Sequence, residues 1–178
     1  MHSYHLILAL LLFLLAYLYE KRLHTRNFHF LKYLGAEELM PKLMLGFYRR
    51  IFLFLPLAAL ESLLNPWRDN LYNSSAPLWF LGFCFGLILK SWAIHTLGSY
   101  WTMSCLAYRG QKLILNGPYR FMQHPEYVGR MIETSAILLL LNGYITVLAY
   151  LTLSIMDFKK IISVESRQLQ ELRALPAT

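Results

Sequence analysis

Between Leu113 and Glu133 the chain gathers polar, ionisable and backbone-special residues that elsewhere are spread thinly among apolar runs. Asn116-Gly117-Pro118 predicts a turn, because Gly permits positive φ and Pro presets its own φ while removing a donor. His124-Pro125 predicts a second break, since a residue before Pro is pushed out of the α region. Pro125 then suits the first turn of a helix that starts near Glu126 and runs into the apolar residues from Ile132 onward. A turn, a short segment carrying Tyr119, Arg120 and His124, and a helix N-terminus are thus brought close together. Backbone N–H groups at such a helix start, with their partial positive charge, suit a carboxylate or a phosphate. A capped loop at a membrane surface would have the same local features.

The elements that must position this stretch are apolar. Of 178 residues 57% are hydrophobic and 15% charged, with a mean hydropathy of +0.40; a soluble domain is about half apolar and about a quarter charged. The excess lies in long charge-free runs, which predicts an all-α, polytopic membrane protein forming a single membrane domain over 1–178. The net charge of +7 would raise nucleic acid as a partner in a soluble protein. Here the basic residues flank apolar spans, so topology accounts for them and no nucleic acid is expected. Cys84 and Cys105 lack the Cys/His spacing of a zinc site, and no metal is expected.

Residues 2–19 carry no Lys, Arg, Asp or Glu, a length that crosses ~30 Å of hydrocarbon. Lys21, Arg22 and Arg26 follow instead of a small-residue cleavage site, so the expectation is an uncleaved first helix with its N-terminus outside. Breaks are expected at Leu34-Gly35 and Met40-Pro41. A second span is expected from Ile51 to Trp67, with a kink at Pro56 and Glu61 at the interface. A polar turn over Asn65 to Pro77 and a third span from Leu78 to Leu97 should follow. There Gly82 and Gly86 allow close helix packing, and Lys90 should snorkel to the interface. The charge-free run Thr134 to Met156 could be one span or a hairpin broken at Asn142-Gly143. The basic tail, Lys159, Lys160, Arg167 and Arg173, decides for the hairpin, because only a hairpin returns it to the cytosol. The result is about five transmembrane helices, the last two a helical hairpin, with the C-terminus and the 113–133 stretch on one cytosolic face. Residues 1–67 would supply two N-terminal helices and 78–172 the functional core.

Leu113-Ile114, Asn116-Gly117-Pro118-Tyr119-Arg120 and His124-Pro125-Glu126-Tyr127-Val128-Gly129 resemble the signature of isoprenylcysteine carboxyl methyltransferases and their bacterial relatives. Glu165-Ser166-Arg167-Gln168-Leu169 resembles the family's late acidic element. Trp101-Thr102 and Ile132-Glu133 look most like a short bacterial branch with members that methylate alkylpyrones. Gln123 and Ile161 stand where the family has Arg, and Ser166 where it has a second acid. The resemblance implies S-adenosylmethionine as cofactor and methyl transfer to a lipophilic or lipid acceptor in the bacterial inner membrane, with membrane lipids as surroundings and no obligate protein partner. By position, Gln111, Lys112, Leu113, Ile114, Tyr119, His124, Pro125, Glu126, Tyr127 and Glu165 would hold the cofactor. Trp101 and Glu133 would line the acceptor pocket, and Lys159 or Lys160 would replace the missing Arg at Ile161 as the contact to the acceptor's polar end, with Lys160 and Glu133 the candidates closest to the chemistry. A carboxylate or enolate acceptor is already a nucleophile, so alignment and exclusion of water are the main tasks. Sterol-type reductases carry a related element, so an NADPH-dependent membrane reductase, a phospholipid N-methyltransferase and a non-catalytic scaffold are the alternatives.

Overall fold

The computed structural model describes residues 3–35, 37–38, 41–64, 68–103, 106–107 and 114–174, with side chains over 4–35, 51–64, 75–103 and 114–163. Among the described residues five α-helices make up the architecture: α1 Ser3–Tyr33, α2 Pro41–Leu64, α3 Arg68–Leu97, α4 Pro125–Leu140 and α5 Tyr144–Ala174. Two-residue strands β1, Glu37–Glu38, and β2, Leu106–Ala107, pair antiparallel with Glu37 opposite Ala107. This pairing ties the α1–α2 connection to the connection between α3 and α4.

The helices outrun the charge-free segments that predict them. α1 continues through Lys21, Arg22 and Arg26 and stops at Tyr33, where Gly35 at φ +78° accommodates the turn. Pro41 opens α2, and Pro56 lies inside it. The polar turn expected over Asn65 to Pro77 is helical from Arg68 onward, with Pro77 inside α3. Asn, Ser and Pro disfavour a helix interior, but such local preferences give way to the packing of the apolar turns that follow.

α3 and α4 form the tightest pair, around two glycines. A Cβ on Gly86 would lie 2.5 Å from the backbone nitrogen of Glu133, and one on Gly129 2.7 Å from that of Lys90. The two backbones therefore touch where any side chain would hold them apart. Gly82, the partner of Gly86 in the expected small-residue pair, has ordinary room, with Ala136 Cβ at 3.8 Å.

α4 and α5 form the expected hairpin. Asn142 takes the left-handed conformation, φ +58°, and the N–H groups of Asn142 and Gly143 close back on Leu139 and Leu138 at 2.9 Å, which ends α4 as a Schellman-type cap does. Glu61 of α2 grips the start of α5: its carboxylate accepts the N–H of Ile145 at 2.8 Å, that of Thr146 at 2.9 Å and the Thr146 hydroxyl at 2.6 Å. Phe54, Phe83, Ile137, Leu138, Tyr150, Phe158 and Ile161 fill the core. Among the described residues one helical segment, Ser75–Tyr100, is long and apolar enough to cross a membrane by length and composition.

Candidate functional site

Gly117 turns the chain at φ +57°, in a place where a Cβ would stand 2.7 Å from Thr96 Oγ1 of α3. Gly117–Arg120 then forms a 3₁₀ turn with Pro118 buried, and Phe121 N–H donates to the Pro118 carbonyl at 3.1 Å. His124 is the N-cap of α4, with φ −131° and ψ 61°, and its side chain makes no cap bond; Pro125 is the first helical residue. The His124 imidazole stacks on Tyr127, centroids 5.4 Å apart and 5° between planes. Tyr127 stacks in turn on Phe158 of α5, at 4.8 Å and 13°. Three parallel rings therefore fasten the start of α4 to the hairpin's second arm. Burial holds the His124 imidazole below its ordinary pKa, so it is neutral near pH 7.

Beside this turn lies a buried charge cluster. Lys90 of α3 pairs with Glu20 of α1 at 2.6 Å and donates to Glu133 Oε2 of α4. Arg130 of α4 donates to Glu20 at 2.9 Å and to Glu126, one turn earlier, at 2.6 Å. Each of the five is at most 9% exposed. Charges so deep persist only when paired and hydrogen-bonded.

The far half of α1 also holds the connection that leaves α3. Asn27, 1% exposed, donates to the carbonyls of Gly98 at 2.9 Å and Trp101 at 2.8 Å. His24 Nδ1 accepts the Met103 N–H at 3.2 Å. Glu20, His24 and Asn27 are spaced i, i+4, i+7, on one helix face.

These contacts sort the sequence candidates. His124, Pro125 and Tyr127 come together with Phe158, and Ile114 and Tyr119 are half-buried in the turn before them. Glu126 turns to Arg130 instead of outward. Glu133, expected to line an acceptor pocket, is fully buried against Lys90. Lys90, expected to snorkel, is 1% exposed: two carboxylates reach it from α1 and α4, so its ammonium stays inside. Trp101 is buried on the α3 exit loop. Lys159 and Lys160 are exposed on α5, while Ile161 packs into the core. Gln111, Lys112 and Leu113, and the side chain of Glu165, lie outside the described residues. Sequence reasoning did not bring Glu20, Lys90 and Arg130 together in one buried cluster. The available signal was an ionisable group inside or bordering an apolar run, which by default marks a functional position.

A helical bundle in which a His-Pro turn opens a helical hairpin, beside a buried ionic cluster, defines the class. Within it, the isoprenylcysteine carboxyl methyltransferase (ICMT) family matches residues 78–171, just over half of the chain, and the protein belongs to that family. The match contains α4 and most of α3 and α5; α1 and α2 fall outside it. The chain is 31% identical over 105 residues to the uncharacterized protein YpbQ of Bacillus subtilis (strain 168), an alignment covering 57% of this chain and 62% of that relative. It thus spans less than two thirds of the relative's length. No solved structure matches.

Proposed function

We propose that the protein is an integral membrane methyltransferase that uses S-adenosylmethionine to methylate a lipophilic acceptor through a carboxylate, enol or hydroxyl oxygen. The observation that carries this reading is the His124–Tyr127–Phe158 stack at the start of α4, within the segment that matches the family. The residues suit the cofactor. An aromatic face attracts a sulfonium. A helix start that His124 leaves without a side-chain cap bond suits the amino-acid carboxylate. Tyr119 and the neutral imidazole of His124 add hydrogen-bonding edges, and Gln111, Lys112, Leu113, Ile114 and Glu165 would complete the set. When bound, the cofactor supplies an electrophilic methyl group. The chain's part is to align the acceptor with it and to exclude water.

Supporting the membrane setting is the polarity of the bundle, apolar outside and ionic within. Leu11, Leu15 and Leu18 of α1, Leu53 and Leu60 of α2, and Leu81, Phe85 and Ile88 of α3 are each more than half exposed, whereas the charges of the Glu20 cluster are hidden. With Ser75–Tyr100 and the flanking basic residues, this favours five spans, an outer N-terminus and a cytosolic site. Exposed Lys159 and Lys160 then suit lipid phosphates at head-group depth.

Calorimetry on the purified protein separates the readings. S-adenosylhomocysteine should bind and NADPH should not, and His124→Ala should weaken the former by about 2 kcal/mol, as for a hydrogen bond to a charged group. Binding of NADPH alone would make the protein a reductase, and binding of neither a scaffold. An outside-only thiol reagent should reach a cysteine at Ser74 and not one at Ala177; the reverse would refute the cytosolic site.

A further inference from the structure

The buried cluster on α1, α3 and α4 does not balance its own charge. Among the described residues it sets two cations, Lys90 and Arg130, against three carboxylates, Glu20, Glu126 and Glu133, which leaves one negative charge in excess. The described groups packed around it do not offset that charge. Tyr17 of α1, which lies over Glu20, and Tyr150 of α5, within electrostatic reach of Glu133, are phenols without charge. Asp157, two turns further along α5, is buried too and could add only acid. Glu61, the ionisable residue of α2 over 51–64, is engaged at the start of α5. An ionised carboxylate left over in an apolar interior costs more than taking up a proton, so such a group is neutralised instead.

We propose that the cluster is a proton-binding site and that Glu133 carries the proton, as a neutral carboxylic acid. The three acids differ in what stabilises their charge. Glu20 meets a cation on each oxygen, Lys90 at 2.6 Å and Arg130 at 2.9 Å. Glu126 accepts two N–H bonds from Arg130, at 3.1 and 2.6 Å. It also stands in the first turn of α4, where the partial positive charge of the helix start favours a carboxylate. A hollow with room for about one water adjoins Glu20, Lys90 and Arg130. Glu133 has none of these supports. It is 0% exposed, Lys90 donates to its Oε2, and its Oε1 is buried with no hydrogen-bond partner among the described residues. A proton on Oε1 cancels the excess charge and disturbs no existing bond. Lys90 and Arg130 are then matched by Glu20 and Glu126, and α1 docks on the α3–α4 crossing without net charge. The site stands whatever reaction the bundle performs.

The test is infrared spectroscopy of the full chain at neutral pH in dodecyl maltoside, a detergent without a carbonyl group. Wild type should show the carbonyl stretch of a protonated carboxyl, and glutamate labelled with heavy carbon at Cδ should move it to lower frequency. Glu133→Gln should remove this band. So should Glu20→Gln: with two carboxylates left for two cations, Glu133 gives up its proton. Glu133→Asp should shift the band, since the acid itself has changed, whereas Glu20→Asp and Glu126→Asp should leave it in place. Absence of the band from wild type would overturn the proposal. So would its survival in Glu133→Gln or Glu20→Gln, or a shift caused by Glu20→Asp or Glu126→Asp and not by Glu133→Asp. If Glu133→Asp does not fold, thermal stability decides. Glu133→Gln reproduces the neutral acid and should melt as wild type does, whereas Glu20→Gln should melt lower, because Glu133 must then ionise where it is fully buried. The reverse order would assign the proton to Glu20 and sink the assignment to Glu133.

Discussion

Glu20 and Arg130, 110 residues apart in sequence, meet in a buried ion pair 2.9 Å long that joins the first helix to the fourth. Removing one partner of such a pair leaves an uncompensated charge, which costs about 3–5 kcal/mol. Arg130→Met, which takes from Glu126 the cation it pairs with, should therefore lower unfolding free energy in mixed micelles by about that amount. Arg130→Met combined with Glu126→Gln should recover part of the loss, because the stranded carboxylate is gone. A double variant no better than the single one would show that the pair acts through something other than its charges.

The crossing of α3 and α4 gives a steric prediction. Gly86→Ala and Gly129→Ala each place a methyl group against fixed backbone, at 2.5 and 2.7 Å, and overpacking of this kind costs about 1–3 kcal/mol or more. Gly82→Ala, with 3.8 Å to its neighbour, should be close to neutral. Thermal stability of the three variants in one detergent checks the order.

His124 should make stability depend on pH. Its folded pKa lies below the ordinary 6.5 because burial penalises the imidazolium. Below that ordinary value the unfolded chain takes up a proton that the folded one resists, so stability falls as pH drops from about 6.5 through the folded pKa. His124→Phe, which keeps a ring on Tyr127, should flatten this part of the profile. A wild-type curve flat from pH 7 to about 5 would mean that His124 is not held neutral.

Glu61 acts at the other end of the bundle. Its carboxylate occupies N–H groups at the start of α5, a cap worth about 0.5–2 kcal/mol. Glu61→Ala should cost stability on that scale and leave S-adenosylhomocysteine affinity unchanged, since α5 reaches the Tyr127 stack only at Phe158. A loss of affinity without a loss of stability would contradict the cap.

The sequence by itself determined the helices and their number, because apolar run length, Gly and Pro act locally, and the hairpin, because the basic tail beyond it favours a return to the side it started from. It also determined the His124-Pro125 break that opens α4 and the turn at Asn142-Gly143, for which φ preference is enough. It misjudged the reach of α1 and α3, where packing carries a helix through residues that disfavour it. What only the tertiary structure decided is which polar groups are inside. Glu20 stands beside Lys21 and Arg22 and reads as part of a solvated basic flank, and Lys90 reads as a lysine at a helix end. Burial of either depends on a partner 43 to 110 positions away, and such partnerships leave no mark in local pattern. Gly86 and Gly129 make the same point: each is a small residue on its own helix, and only the crossing of α3 with α4 shows why neither could have been larger.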